Sequence, residues 1–354
     1  MSDSRFLRYG ALAAAIVLDA LFFRPLGDAP GGSQDFDALL RQDLAAAMAA
    51  QNLLNQDLLS QPGVAGTAIA FDVSGRPVVK VFLTRGDLLE TGALALPATF
   101  EGHAVVTEVT GPFRALEPPA SSDITDPRLN FPRPVPIGVS TGQVDVTAGT
   151  IAARVVSGSE VFALSNNHVY ANRNQAEVGD NILQPGTVDG GANPTDAIGN
   201  LHDFEPIRFC QPFPVCPENR IDAAIASTTT DNLGNSTPSN GYGTPRSGTA
   251  AARLGMAVQK YGRTTGHTKG RITGINAAMN VGFRDRTARF TGQIVVSGNG
   301  FSGPGDSGSL IVADGPGAEA RRPVGLLFAG SQTTTLANPI DLVLDRFDVE
   351  IDGN

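Results

Sequence analysis

Gly303-Pro304-Gly305-Asp306-Ser307-Gly308-Ser309 runs directly into the apolar triplet Leu310-Ile311-Val312. Glycines around a serine let backbone and substrate approach closely. A tight turn of this kind can also aim several N–H groups inward at developing negative charge. Ser307 therefore sits in surroundings suited to a nucleophile. A hydroxyl is weak in that role unless a base and an orienting acid accompany it, so a histidine and an aspartate at strand edges would complete the site.

Both occur upstream. Val161-Phe162-Ala163-Leu164 leads into Ser165-Asn166-Asn167-His168-Val169, and a strand ending in histidine places an imidazole at a sheet rim, where a general base meets substrate. A lone histidine is more often a buried residue satisfied by backbone. The second segment, Asn219-Arg220-Ile221-Asp222-Ala223-Ala224-Ile225-Ala226, embeds a carboxylate in an apolar strand. That burial is costly unless strong donors face it, and an imidazole N–H would serve. The resulting order is His168, Asp222, Ser307. An α/β-hydrolase places serine first within G-x-S-x-G, and subtilisin-type enzymes begin with aspartate; the chymotrypsin order alone fits.

The segments ALSNNHV (163–169), IDAAIA (221–226) and GPGDSGSLIV (303–312) resemble the three catalytic boxes of trypsin/chymotrypsin-like serine peptidases. Tyr261–Gly266 is similar to a loop of bacterial members related to α-lytic protease and the streptogrisins, and Val324–Gly330 to the strand lining the primary specificity pocket. The resemblance implies a mainly β fold, a chymotrypsin-like double β-barrel, with no cofactor and no metal. It implies Ser307 as nucleophile, His168 as general base and acid, and Asp222 as the group that fixes the imidazole. The backbone N–H groups of Gly305 and Ser307 would form the oxyanion hole. Phe301 falls at the pocket base, with Phe328 and Gly330 on the lining strand. Because Phe301 carries no charge, small or apolar side chains are expected at the cleavage position, although Phe301 and Phe328 could instead fill the pocket. Lys260 is expected to pair with Asp306, with Arg263 as the other candidate. The chain departs from the family in lacking cysteines beside His168 and Ser307, and in carrying Ser309 where glycine is usual.

With 41 glycines, 24 prolines and 41% apolar residues in short runs, the 354-residue chain reads as a β-rich globular protein. A net charge of −9 without a basic, aromatic-interleaved cluster argues against nucleic acid; the polypeptide substrate expected as partner is what the resemblance implies. Cys210 and Cys216 lack the companions of a zinc site; a disulfide and two free thiols are both open.

Residues 1–33 read as a leader: Arg5 and Arg8 precede an apolar run from Ala11 to Phe23. This favours a secreted or cell-envelope protein, while Asp19 within the run keeps an amphipathic helix in a cytoplasmic protein as the alternative. Residues 34–116 read as a small α/β accessory or pro-domain preceding the barrels. A helix with Leu39, Leu40, Leu44, Met48, Leu54 and Leu58 at a 3.6 period precedes strands at Val64–Asp72, Val78–Thr84 and His103–Thr110. Residues 117–134 form a Pro-rich linker in which Arg128 and Arg133 are candidate self-cleavage points, and 135–354 the peptidase domain. His103, His202 and His267 read as structural or surface residues. Two functions follow: a serine endopeptidase, or a catalytically restricted peptidase-like binding or regulatory protein with a closed cleft.

Overall fold

The computed structural model describes residues 32–116, 126–211 and 215–354. The leader reading therefore falls almost wholly outside the described residues, as does the linker reading over 117–125. Two antiparallel barrels organise the remainder. In the first, Ala153–Ser157, Glu160–Ser165, Ala224–Thr228, Ala197–Phe204, Asn181–Leu183 and Ser140–Gln143 follow one another around the sheet. It closes where the Ile151 N–H donates to the Val139 carbonyl at 3.0 Å and the Gly138 N–H to the Ile151 carbonyl at 2.7 Å. Alternate side chains of these strands, among them Ala163, Ile182, Leu201 and Ala226, fill the interior together with Val139 and Ile151 beside them, as period-2 patterning requires.

The second barrel is a complete ring. Ala257–Gly262 pairs with Gly266–Phe283, then come Arg286–Ser297, Thr334–Pro339, Pro323–Gly330 and Leu310–Ala313, which returns to Ala257–Gly262. Val258, Ile272, Val296, Phe301, Ile311 and Leu327 belong to its core. A third cluster, with Phe162 and Leu164 from the first barrel and Leu310, Val312 and Leu326 from the second, joins the two. The closing helix Ile340–Phe347 packs Ile340, Val343 and Leu344 into that seam. Strand Glu350–Ile351 then returns to pair with Val155–Val156 of the first barrel.

The helix and strands expected in residues 34–116 lie at Gly32–Leu58, Val64–Phe71, Pro77–Leu83 and His103–Val109. They share one sheet with the second barrel. The strand Gly266–Phe283 is 18 residues long, and its free edge is covered by Val64–Phe71, which pairs Gly66 with Met279 and Ile69 with Ile275. An uncovered edge of this length would invite intermolecular pairing. The helix is tied down by a buried amide. Gln51 Nε2 donates to Thr67 Oγ1 at 2.9 Å and to the Asn276 carbonyl at 3.1 Å, while Asn276 Nδ2 donates back to Gln51 Oε1 at 3.1 Å.

The C-terminal part of the Pro-rich segment lies along the first barrel. Arg133 Nη2 donates to the Ala197 carbonyl at 2.6 Å, and Gln184 Nε2 to that of Leu129 at 2.8 Å.

The junction between the N-terminal strands and the barrel leaves no room for a side chain at Gly66. A Cβ there would lie 2.1 Å from Met279 Sδ and 2.5 Å from the Ala278 carbonyl oxygen. Gly66→Val is expected to cost about 1–3 kcal/mol of stability through overpacking, read as a lower urea midpoint for the barrel signal; an unchanged midpoint would mean that this junction contributes nothing.

Candidate active site

His168 is carried on the single turn Asn167–Tyr170, entered from the first-barrel strand Glu160–Ser165. Asp222 stands just before the neighbouring strand Ala224–Thr228, so strand pairing sets their separation. His168 Nδ1 lies 2.6 Å from Asp222 Oδ2, and the His168 backbone N–H donates to Asp222 Oδ1 at 3.1 Å. A carboxylate only accepts, so Nδ1 carries a proton, and in the neutral ring Nε2 has the lone pair. Nε2 is buried and has no hydrogen-bond partner among the described residues. The edge-on ring of Phe283 stands 5.9 Å from the imidazole, centre to centre.

The aspartate is braced from the second barrel. Its backbone N–H donates to Asn338 Oδ1 at 3.0 Å, and Asn338 Nδ2 donates to Gln293 Oε1 at 2.7 Å. Asn166 Nδ2 adds a bond to the Asp222 carbonyl at 2.7 Å.

Ser307 sits on the loop before Leu310–Ala313, with Gly305 and Gly308 at φ +102° and +94°. Glycine is required at 308, because a Cβ there would lie 2.1 Å from the Thr150 carbonyl oxygen. Thr150 of the first barrel clasps the loop. Its N–H donates to the Ser307 carbonyl at 2.8 Å and its Oγ1 to the Gly305 carbonyl at 2.9 Å.

Asp306 holds the same loop from the other side. Its carboxylate accepts the N–H groups of Thr264 at 2.8 Å, Thr265 at 3.2 Å and Gly303 at 2.9 Å, together with Thr265 Oγ1 at 2.7 Å. Lys260 Nζ lies 3.5 Å away, and both side chains are fully buried. Burial pulls the Lys260 ammonium below its ordinary range, and the Asp306 carboxylate pulls the other way. Lys260 also donates to Thr265 Oγ1 and to the Gly266 carbonyl. Arg263 goes elsewhere, in a two-pronged pair with Asp189 at 2.8 and 2.5 Å. Ser309, the departure from the usual glycine, donates to the Asp306 carbonyl at 2.6 Å.

Not every sequence-derived residue meets the others. Ser307 Oγ donates to the Phe328 carbonyl at 3.2 Å rather than to His168. The Gly305 N–H donates to the Leu116 carbonyl at 2.8 Å. Phe301 and Phe328 belong to separate cores. The Phe301 ring packs over Gly270, where a Cβ would meet its Cδ2 at 2.8 Å. The Phe328 ring lies 4.8 Å from that of Phe290, in the aromatic cluster that reaches His168 through Phe283. Gly330 faces Leu116.

Cys210 and Cys216 form a disulfide in the loop beside this cluster, and the Arg286 guanidinium stacks 3.8 Å from the Phe209 ring centre. His202 Nδ1 meets Ser227 Oγ at 3.0 Å, His267 Nε2 meets Gln259 Oε1 at 2.7 Å, and His103 lies half-buried at a strand start. Thr150, Asn338, Phe283 and Leu116 escape a sequence reading, since none lies in a catalytic box.

Residues 247–338 match the family of the Nal1 C-terminal domain. No curated protein matches the chain. Several solved structures are similar to it. Thermobifida fusca protease A is 18% identical, with a TM-score of 0.45 over 62% of this chain and 100% of that one. Cellulomonas bogoriensis chymotrypsin is 20% identical, with a TM-score of 0.41 over 62% and 99%. Nocardiopsis protease is 18% identical, with a TM-score of 0.41 over 61% and 99%.

The buried pair beneath the serine loop makes a direct prediction. Lys260→Met removes the cation and leaves Asp306 charged in the interior, an expected loss of about 3–5 kcal/mol by chemical denaturation. A loss below 1 kcal/mol would show that the four hydrogen bonds to Asp306 suffice without Lys260.

Proposed function

We propose that the chain is a serine endopeptidase acting through Ser307, His168 and Asp222. The observation that carries this reading is the two-point grip of Asp222 on His168, at Nδ1 and at the backbone N–H. It fixes both the tautomer and the orientation of the ring, which is the task of the acid in such a site. Ser307 Oγ turns from the Phe328 carbonyl toward Nε2, gives up its proton and bonds to the scissile carbonyl carbon. The Gly305 and Ser307 N–H groups receive the resulting oxyanion. His168 returns the proton to the leaving amine, and water then repeats the sequence to release the acid.

The apolar recess beside Gly330, where the Leu116 side chain packs, favours small or apolar residues at the cleavage position over Lys or Arg. The segment 34–116 acts as an accessory or pro-domain in this reading. The Cys210–Cys216 disulfide suits an oxidising compartment, in keeping with a secreted or cell-envelope location.

One observation favours the second reading, a peptidase-like binding or regulatory protein. Ser307 is 0% and His168 1% exposed.

A fluorophosphonate probe separates the two. Stoichiometric labelling at Ser307, lost in His168→Ala, is expected, together with a fall of about 10⁴-fold in kcat for Asp222→Asn. Folded protein that resists the probe under prolonged exposure would overturn the peptidase reading.

A further inference from the structure

The Leu116 carbonyl occupies the Gly305 N–H, the donor assigned to the oxyanion. The residues before it complete the picture. Phe113–Ala115 forms a short strand that pairs antiparallel with Pro323–Gly330, Ala115 opposite Ala329 and Arg114 opposite Gly330. Its other edge pairs in parallel with Val281 and Gly282. The Phe113 ring is buried edge-on against Phe82 at 5.8 Å. The Leu116 side chain, 8% exposed, packs on Gly330, where a Cβ would stand 3.3 and 3.4 Å from its methyl carbons. A cavity of about 720 Å³ opens alongside, bounded by Ser302, Gly303, Pro304 and Ser331–Thr333.

A peptide substrate needs three things here: strand addition to a sheet edge, a carbonyl on the oxyanion donor, and a side chain in an apolar recess. Phe113–Leu116 supplies all three. Arg133 of the Pro-rich segment is not at this place, being bound to the first barrel.

We propose that Phe113–Leu116 is a built-in substrate mimic. The groove it fills recognises extended peptides with leucine, or a similarly sized aliphatic residue, on the acyl side of the scissile bond. External peptide must displace Leu116 to reach Ser307, and an extended one must also displace the pairings of Ala115 and Arg114 with Ala329 and Gly330. The inference rests on the peptidase reading and deepens it. Arg114 is exposed, so the position two residues before the cleaved one tolerates a polar side chain.

The test uses the full chain and two variants. Leu116→Asp places a charge where an apolar group belongs, and Leu116→Gly empties the recess without introducing one, so either suffices if the other fails to fold. Displacing the mimic raises the competent fraction, and fluorophosphonate labelling of Ser307 is expected to accelerate about 10-fold or more in both variants, with Leu116→Met remaining as slow as the parent. The released variants should cleave a Phe-Arg-Ala-Leu anilide in preference to the analogues ending in Arg or Asp. Labelling of parent and variants at one rate would overturn the mimic while leaving the peptidase intact, as would a preference for Arg or Asp. Absence of labelling in every folded form would overturn the peptidase reading and the mimic with it.

Discussion

A single buried carboxylate holds the serine loop in place. Asp306 accepts three backbone N–H groups and one hydroxyl, and these come from both sides of the turn: Gly303 within the loop, Thr264 and Thr265 from the adjoining hairpin. An ionised group at 0% exposure would be prohibitive without such donors, and Lys260 offsets its charge. The consequence is geometric. With Gly303 and residues 264–265 fixed to the same two oxygens, the backbone through Gly305 and Ser307 has little freedom, and the N–H groups it presents are preorganised. Ser309, whose hydroxyl caps the Asp306 carbonyl, adds to this constraint.

The same logic recurs across the seam between the barrels. Thr150 belongs to the first barrel yet donates to the Gly305 and Ser307 carbonyls of the second barrel's loop. Asn338 belongs to the second and bonds to the Asp222 amide in the first. Each barrel thus positions a candidate site residue of the other. A site divided between two bodies gains its geometry only when they pack, which explains why the seam holds an apolar cluster drawn from both and why the chain's last strand crosses back to the first barrel.

The candidate site residues stood out because their chemistry is local: a glycine-flanked serine, a histidine at a strand end and an aspartate in an apolar run each carry their own signal, and the structure pairs His168 with Asp222 while Ser307 bonds to the Phe328 carbonyl. Strand positions were legible from period-2 patterning, and the N-terminal strands lie within about one residue of the expectation. The sheet they join was not. Nothing in Val64–Phe71 names Gly266–Phe283 as its partner, since edge pairing is decided by which strand of the finished fold remains uncovered. Phe301 misled for a related reason. Its position relative to Ser307 suggests a pocket base, but the glycine at 270 opens space for its ring on the opposite strand, and the core takes it. Leu116 was invisible for want of any motif; its role depends on where strand pairing delivers its carbonyl.

How firmly that carbonyl is held follows from what secures it. Phe113 and the two backbone pairings anchor the segment upstream, so Leu116 can leave without unfolding what precedes it. Its departure exposes one leucine side chain, about 1.5–3 kcal/mol, and gives up one hydrogen bond, about 1 kcal/mol. At 1.4 kcal/mol per tenfold, the open form is populated at roughly one part in 10² to 10³. That fraction lowers apparent substrate affinity by the same factor. A tethered occupant of this kind therefore keeps the Gly305 N–H engaged at rest yet releasable. Gly330 sets the balance: any side chain there would weaken the hold on Leu116 and, by the same contact, narrow the recess for the substrate that replaces it.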